Sequence, residues 1–134
     1  MTARGFVIMI VDDDDSMRRA VRRLVKSHGF MVETFASAED FLAADQLDQT
    51  ACLVLDVQMP GLNGLELQGQ LVASGRRIPI VFITAFNDED ARRRALKAGA
   101  LCYLVKPFAE SDLLNCIARA LPSETDAHPP ARLN

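Results

Sequence analysis

Four apolar runs in this chain each end on a residue that can do polar chemistry. Asp12-Asp13 follows Phe6 to Val11, Asp56 follows Ala51 to Leu55, Thr84 closes Pro79 to Thr84, and Lys106-Pro107 follows Leu101 to Val105. Carboxylates brought together repel one another and resist ionisation. A hard divalent cation removes that conflict, and Mg²⁺ suits a site made of a few carboxylates plus waters. A carboxylate nucleophile, a cation site, a hydroxyl and an ammonium group are together the parts that accept and hold a phosphoryl group. Asp14 and Asp15 extend the acidic run and read as a helix cap and a dipole partner. Neither histidine closes a strand: His28 ends a helix and His128 lies near the C-terminus. The sequence holds no Ser/His/Asp or Cys/His arrangement and no glycine-rich phosphate loop.

These residues converge only if the runs are strands of one sheet. Phe6–Val11, Met31–Phe35, Ala51–Leu55, Pro79–Thr84 and Leu101–Val105 have strand length, and Glu33 places the second at an edge. Between them, apolar residues recur at helical spacing: Met17, Ala20, Val21, Leu24 and Val25, then Leu65, Leu67, Leu71 and Val72, and finally Leu113, Leu114, Ile117, Ala118 and Leu121. Gly29, Gly75 and Gly99 end helices. Ser37 and either Asn87 or Asp88 are cap residues. Alternating strands and helices predict an α/β fold, a flavodoxin-like doubly wound five-stranded parallel sheet of order 2-1-3-4-5 with helices on both faces. In that order strands one and three are neighbours, so Asp12, Asp13 and Asp56 share the switch point where such folds bind ligands.

Composition narrows the classes. The chain has 134 residues, 49% hydrophobic and 25% charged, with 15 Lys+Arg against 18 Asp+Glu for a net charge of −3. That is one globular domain, too acidic for a general nucleic-acid coat. No apolar run reaches the ~18 residues of a membrane helix, and Met1-Thr2-Ala3-Arg4-Gly5 leads into the first strand without a signal-peptide cleavage site. Three cysteines, Cys52, Cys102 and Cys116, form no CxxC pair. Their odd number suits a reducing cytoplasm and argues against a disulfide scaffold or a zinc ribbon. Residues 1–121 form the domain, and the Pro-containing stretch 122–134 reads as a disordered tail.

From about Phe6 to Leu121 the chain resembles a receiver domain of bacterial two-component response regulators, the CheY-like family, and is similar to receivers of LuxR-type regulators. The matching stretches are Ile10-Val11-Asp12-Asp13, Leu55 through Gly64 with Asp56, Met59, Pro60 and Gly64 in register, Phe82-Ile83-Thr84-Ala85, Ala98-Gly99-Ala100, and Tyr103 through Phe108. The resemblance implies that Asp56 accepts a phosphoryl group from a phosphohistidine of a sensor kinase or phosphotransfer protein. It implies Mg²⁺ held by Asp13, Asp56 and the Gln58 carbonyl, with Asp12 acting through water. Lys106 pairs with the phosphoryl oxygens ahead of a cis bond to Pro107, and Thr84 and Tyr103 form a switch pair. Such a domain is no enzyme with a product of its own. Its output is protein binding through the face of helix 4, strand 5 and helix 5, to a downstream protein or as a phosphorylation-dependent homodimer, without direct contact to nucleic acid or membrane.

Two departures stand out. Ala109 occupies the usual cap position after Lys106-Pro107-Phe108, which moves the expected cap to Ser111. Phe86, two residues beyond Thr84, sets a large apolar group beside the site; with Gln58 it flanks the path of a hydrolytic water, which predicts a long-lived phosphorylated form. Arg18, Arg19, Arg22, Arg23 and Lys26 crowd one helix face and could steer an acidic partner. A haloacid-dehalogenase-type phosphatase would need an acid where Gln58 stands, and Asp12 to Asp15 would repel the phosphate of a flavin. The sharper competitor is the receiver piece of a DNA-binding transcriptional regulator. The thirteen residues after Leu121 are too few for a helix-turn-helix domain, so the sequence as it stands reads as a stand-alone cytoplasmic switch.

Overall fold

Short apolar runs rich in Val, Ile and Leu become the strands. In the computed structural model, which describes residues 7–121, these are β1 (Val7–Val11), β2 (Met31–Phe35), β3 (Thr50–Asp56), β4 (Ile80–Thr84) and β5 (Cys102–Val105). All neighbours pair in parallel in the order β2-β1-β3-β4-β5, as expected. β1 and β4 are buried at every position, whereas β2 alternates along an exposed edge. Strand ends differ from expectation by a residue, as strand limits commonly do. Phe6 and the expected tail, 122–134, lie outside the described residues.

The connections are α1 (Asp15–Ser27), α2 (Ala38–Ala43), α3 (Gly64–Ala73), α4 (Glu89–Lys97) and α5 (Glu110–Ala120), with a short 3-10 turn at Leu47–Gln49 that the sequence pattern did not signal. Successive strand residues point to opposite faces, which divides the core into two layers. Met9, Val11, Leu53, Leu55 and Phe82 pack against Phe41 of α2, Leu67 and Leu71 of α3 and Ala95 of α4. Ile8, Ile10, Val54, Val81 and Ile83 pack against Val21 and Val25 of α1 and Leu113 and Ile117 of α5.

Four of the five helices begin on a side-chain cap: Asp14, Ser37, Asn63 and Asp88. At α3 the cap is reciprocal, with Asn63 and Glu66 each accepting from the other's backbone N–H at 2.9 Å. Helix α5 departs from expectation. It starts at Glu110 with Ala109 at the cap, and among the described residues no side chain bonds its first amides. Ser111 falls inside the helix, past the one position from which a hydroxyl could cap it. Glu110 and Asp112 in the first turn complement the dipole instead.

The cysteine expectation is also corrected. Cys102 of β5 and Cys116 of α5 form a disulfide, with Cα atoms 6.3 Å apart. Their separation of 14 residues matches no short motif. The pairing arises because α5 folds back over the strand that precedes it. Cys52 is free and buried, and burial pushes its thiol up to about 12.

Candidate functional site

The parallel register places Val11 beside Leu55, so Asp12 and Asp56 leave β1 and β3 side by side. One carboxylate oxygen from each of Asp12, Asp13 and Asp56 lies within 4.8 Å of the others. Asp12 is fully buried and Asp56 is 5% exposed, while Asp13 faces solvent. The Asp12 amide donates to Phe35 O at 3.1 Å, which prolongs the sheet by one bond and aims the side chain inward. Its Oδ1 accepts from the Asp14 amide at 2.9 Å, whereas Oδ2 is buried without a hydrogen-bond donor among the described residues. Asp56 Oδ1 accepts from the Gln58 amide at 3.2 Å.

Position 64 admits glycine alone. A Cβ there would sit 2.3 Å from the Asp56 carbonyl oxygen and 3.0 Å from Val57 Cα. The Gly64 amide donates to Val57 O at 3.0 Å, and the Val57 amide to Ile83 O at 3.2 Å. The start of α3 is thus packed directly on the end of β3. Glu39 of α2 adds a tether, accepting from the Leu62 amide at 2.9 Å, and that bond lowers its carboxyl below the usual range.

Lys106 brings the cation, with Nζ 3.6 Å from Asp12 Oδ2. Its own amide donates to Thr84 O at 2.7 Å, and its bond to Pro107 is cis, as expected. Burial first, and the Asp12 charge after it, raise Asp56 from 3.8 to about 7 against the opposing pull of Lys106 and the Gln58 amide. With Asp56 resisting ionisation and a buried Asp12 oxygen without a donor among the described residues, the three-carboxylate cluster is short of positive charge. All its ligand atoms are hard oxygens, so the residues present fit Mg²⁺.

Thr84 is fully buried at the end of β4, and its Oγ1 accepts from the Phe86 amide at 3.1 Å. Tyr103 pairs with Phe82 across β4 and β5, ring centroids 6.1 Å apart, which puts it on the same sheet face as Thr84. Its hydroxyl is buried without a partner among the described residues. Burial, then the charges of Asp88 and Glu89 at the start of α4, raise the phenol above its ordinary value. Phe86 is 57% exposed and belongs to neither core layer, so it does not pack into the body of the protein beneath α4.

Sequence reasoning overlooked one side chain at the site. Arg18, expected on the solvated basic face of α1, turns back to donate to the Asp12 carbonyl at 2.8 Å and pairs with Asp15. The face that remains is formed by Arg19, Arg22, Arg23 and Lys26 around a shallow groove.

Residues 8–118 match the family model of the response regulator receiver domain. The chain belongs to this family. The receiver is 44% identical over 121 residues to the response regulator protein TodT of Pseudomonas putida, a match that covers 90% of this chain and 53% of TodT. It is 38% identical over 121 residues to the transcriptional regulatory protein FixJ of Bradyrhizobium diazoefficiens, covering 90% of this chain and 58% of FixJ. Among solved structures, the response regulator StyR superposes with a TM-score of 0.81 at 48% identity, over 91% of this chain and 61% of that one. The receiver therefore spans little more than half the length of these regulators. None of its described helices is long and apolar enough to cross a membrane.

Proposed function

We propose that this receiver is a phosphorylation-controlled switch whose phosphoacceptor is Asp56. The observation that carries the reading is the convergence of Asp12, Asp13 and Asp56 within 4.8 Å, with Lys106 Nζ 3.6 Å from Asp12. An Asp56 oxygen attacks the phosphorus of a phosphohistidine on a sensor kinase or phosphotransfer protein. The new O–P bond forms as the P–N bond breaks, and the imidazole leaves and takes up a proton. Asp13, Asp56 and the Gln58 carbonyl would hold Mg²⁺, with Asp12 acting through water, and the cation would supply charge neutralisation for the transferring group. Lys106 then pairs with the phosphoryl oxygens in place of Asp12. The basic face of Arg22, Arg23 and Lys26 steers the acidic side of the donor protein toward the site.

Output runs through Thr84 and Tyr103. The Thr84 hydroxyl, now bonded to the Phe86 amide, turns to a phosphoryl oxygen and releases the loop that begins α4. Tyr103, whose buried hydroxyl lacks a partner among the described residues, shares that sheet face and follows the loop. The surface of α4, β5 and α5 then presents a changed shape to a downstream protein or a second copy. The domain forms no product of its own, and the proposed transfer from a sensor kinase has it work in the cytoplasm. A second reading, the receiver portion of a DNA-binding transcriptional regulator, is favoured by one observation: the chain covers 53% of TodT and 58% of FixJ.

Incubation with Mg²⁺ and a small-molecule phosphodonor tests the reading. Wild-type protein is expected to gain one phosphoryl mass and Asp56→Asn none. Equal gain in both would refute the assignment.

A further inference from the structure

Cys102 and Cys116 lie on the sheet face opposite Tyr103, in the layer between the strands and α1 and α5. Their Cα atoms are 6.3 Å apart, inside the range that a disulfide spans without backbone movement. Both are buried in that layer but not sealed from solvent, 8% and 7% exposed, whereas Cys52 on the central strand β3 has no exposure at all. Arg119 of α5 donates from Nη1 to Cys102 Sγ at 3.3 Å. A guanidinium in that place favours the thiolate of the opened pair, and the thiolate is the form that attacks a disulfide. The helix so joined is also the one without a side-chain cap.

We propose that Cys102 and Cys116 form a reversible dithiol–disulfide pair, closed by a low-molecular-weight disulfide and reopened by a thiol, that fastens α5 to β5. In closing, the Cys102 thiolate attacks one sulfur of the small disulfide. That S–S bond breaks, one small thiolate leaves and takes up a proton, and Cys102 carries a mixed disulfide. The Cys116 sulfur gives up its proton and attacks Cys102 Sγ, expelling the second small thiolate. The protein loses two electrons and two protons, and the small disulfide becomes two thiols. Reopening reverses each step. The bond clamps one side of β5, and Tyr103, the next residue, occupies the other. The pair thus adds a redox input to the same strand, independently of the phosphoacceptor reading.

The test uses the whole chain, native, equilibrated with glutathione disulfide and then with excess reduced glutathione. Samples are quenched in acid, alkylated and mapped by peptide mass. Oxidised protein is expected to show the Cys102 peptide joined to the Cys116 peptide, reduced protein to show both alkylated, and Cys52 to stay unlinked throughout. Thermal unfolding of wild type is expected about 10 °C higher in the oxidised sample, given the short loop closed, with no such difference in Cys116→Ser. Two free thiols after oxidation, or a linkage that native protein keeps in reduced glutathione, would overturn the proposal. The wild-type map decides this even if the variant fails to fold.

Discussion

Lys106 Nζ lies 3.6 Å from Asp12 Oδ2, a buried carboxylate oxygen that no hydrogen-bond donor reaches among the described residues. The ammonium is thus the nearest positive charge to a cluster that repels itself. It also holds Asp56 below the value that burial and Asp12 alone would impose. Lys106→Met is expected to raise the Asp56 midpoint above about 7, by roughly one further unit. Carboxyl-resolved NMR titration of chelator-treated protein reads it. An unchanged or lower midpoint would show that Lys106 does not act on Asp56.

The raised Asp56 midpoint also makes stability depend on pH. Unfolded, this carboxyl ionises near 3.8; folded, it holds its proton up to about 7. Between those values the folded state binds more protons, so stability present at low pH is lost as pH rises through the window and is level above it. Discounted by about half for solvent screening, the loss is about 2 kcal/mol. Asp56→Asn should flatten the Asp56 contribution. Because protons and cations compete for the same oxygens, Mg²⁺ should stabilise wild type more at pH 8 than at pH 6. Denaturant unfolding at both values, with and without Mg²⁺, checks each statement.

At position 64 any side chain collides with backbone. Gly64→Ala places Cβ 2.3 Å from the Asp56 carbonyl, so β3 and α3 must part. A loss of about 3 kcal/mol is expected, together with slower phosphorylation from a small donor, because the phosphoacceptor itself is displaced. A stable variant with full phosphorylation would mean that α3 can shift at no cost to the site.

We propose that Phe86 bears on the lifetime of the acyl phosphate. The residue is 57% exposed and its amide bonds the Thr84 hydroxyl, and a phenyl group can neither orient a water nor activate one. Phe86→Ala is expected to speed dephosphorylation about tenfold, equivalent to ~1.4 kcal/mol off the barrier. Decay of radiolabelled protein with Mg²⁺ and no kinase measures it, and an unchanged rate would remove Phe86 from the water's path.

Much of this architecture was readable in the chain because the relevant signals are local. Val7 to Val11 and Ile80 to Thr84 could only be buried strands, and the doubly wound order then brought Asp12 and Asp56 together at adjacent strand ends. What escaped depends on contacts distant in sequence or on a choice between partners. Arg18 has the helical position of a surface residue but reaches back to the Asp12 carbonyl. Glu39 meets Leu62 across 23 positions. Cys102 and Cys116 meet only because α5 returns over β5. At α5, Ser111 has the right chemistry two residues past the cap position, and acidic residues in the first turn suffice without it.

The central claim, that Asp56 is the phosphoacceptor, is tested most directly by chemical trapping. An acyl phosphate is reduced by borohydride to the alcohol, whereas a free carboxylate is not. After treatment with Mg²⁺ and a small phosphodonor, the account predicts homoserine at position 56 and nowhere else in the peptide map. Reduction at Asp12 or Asp13 with position 56 intact, or no reduced residue in protein that has gained phosphoryl mass, would contradict it.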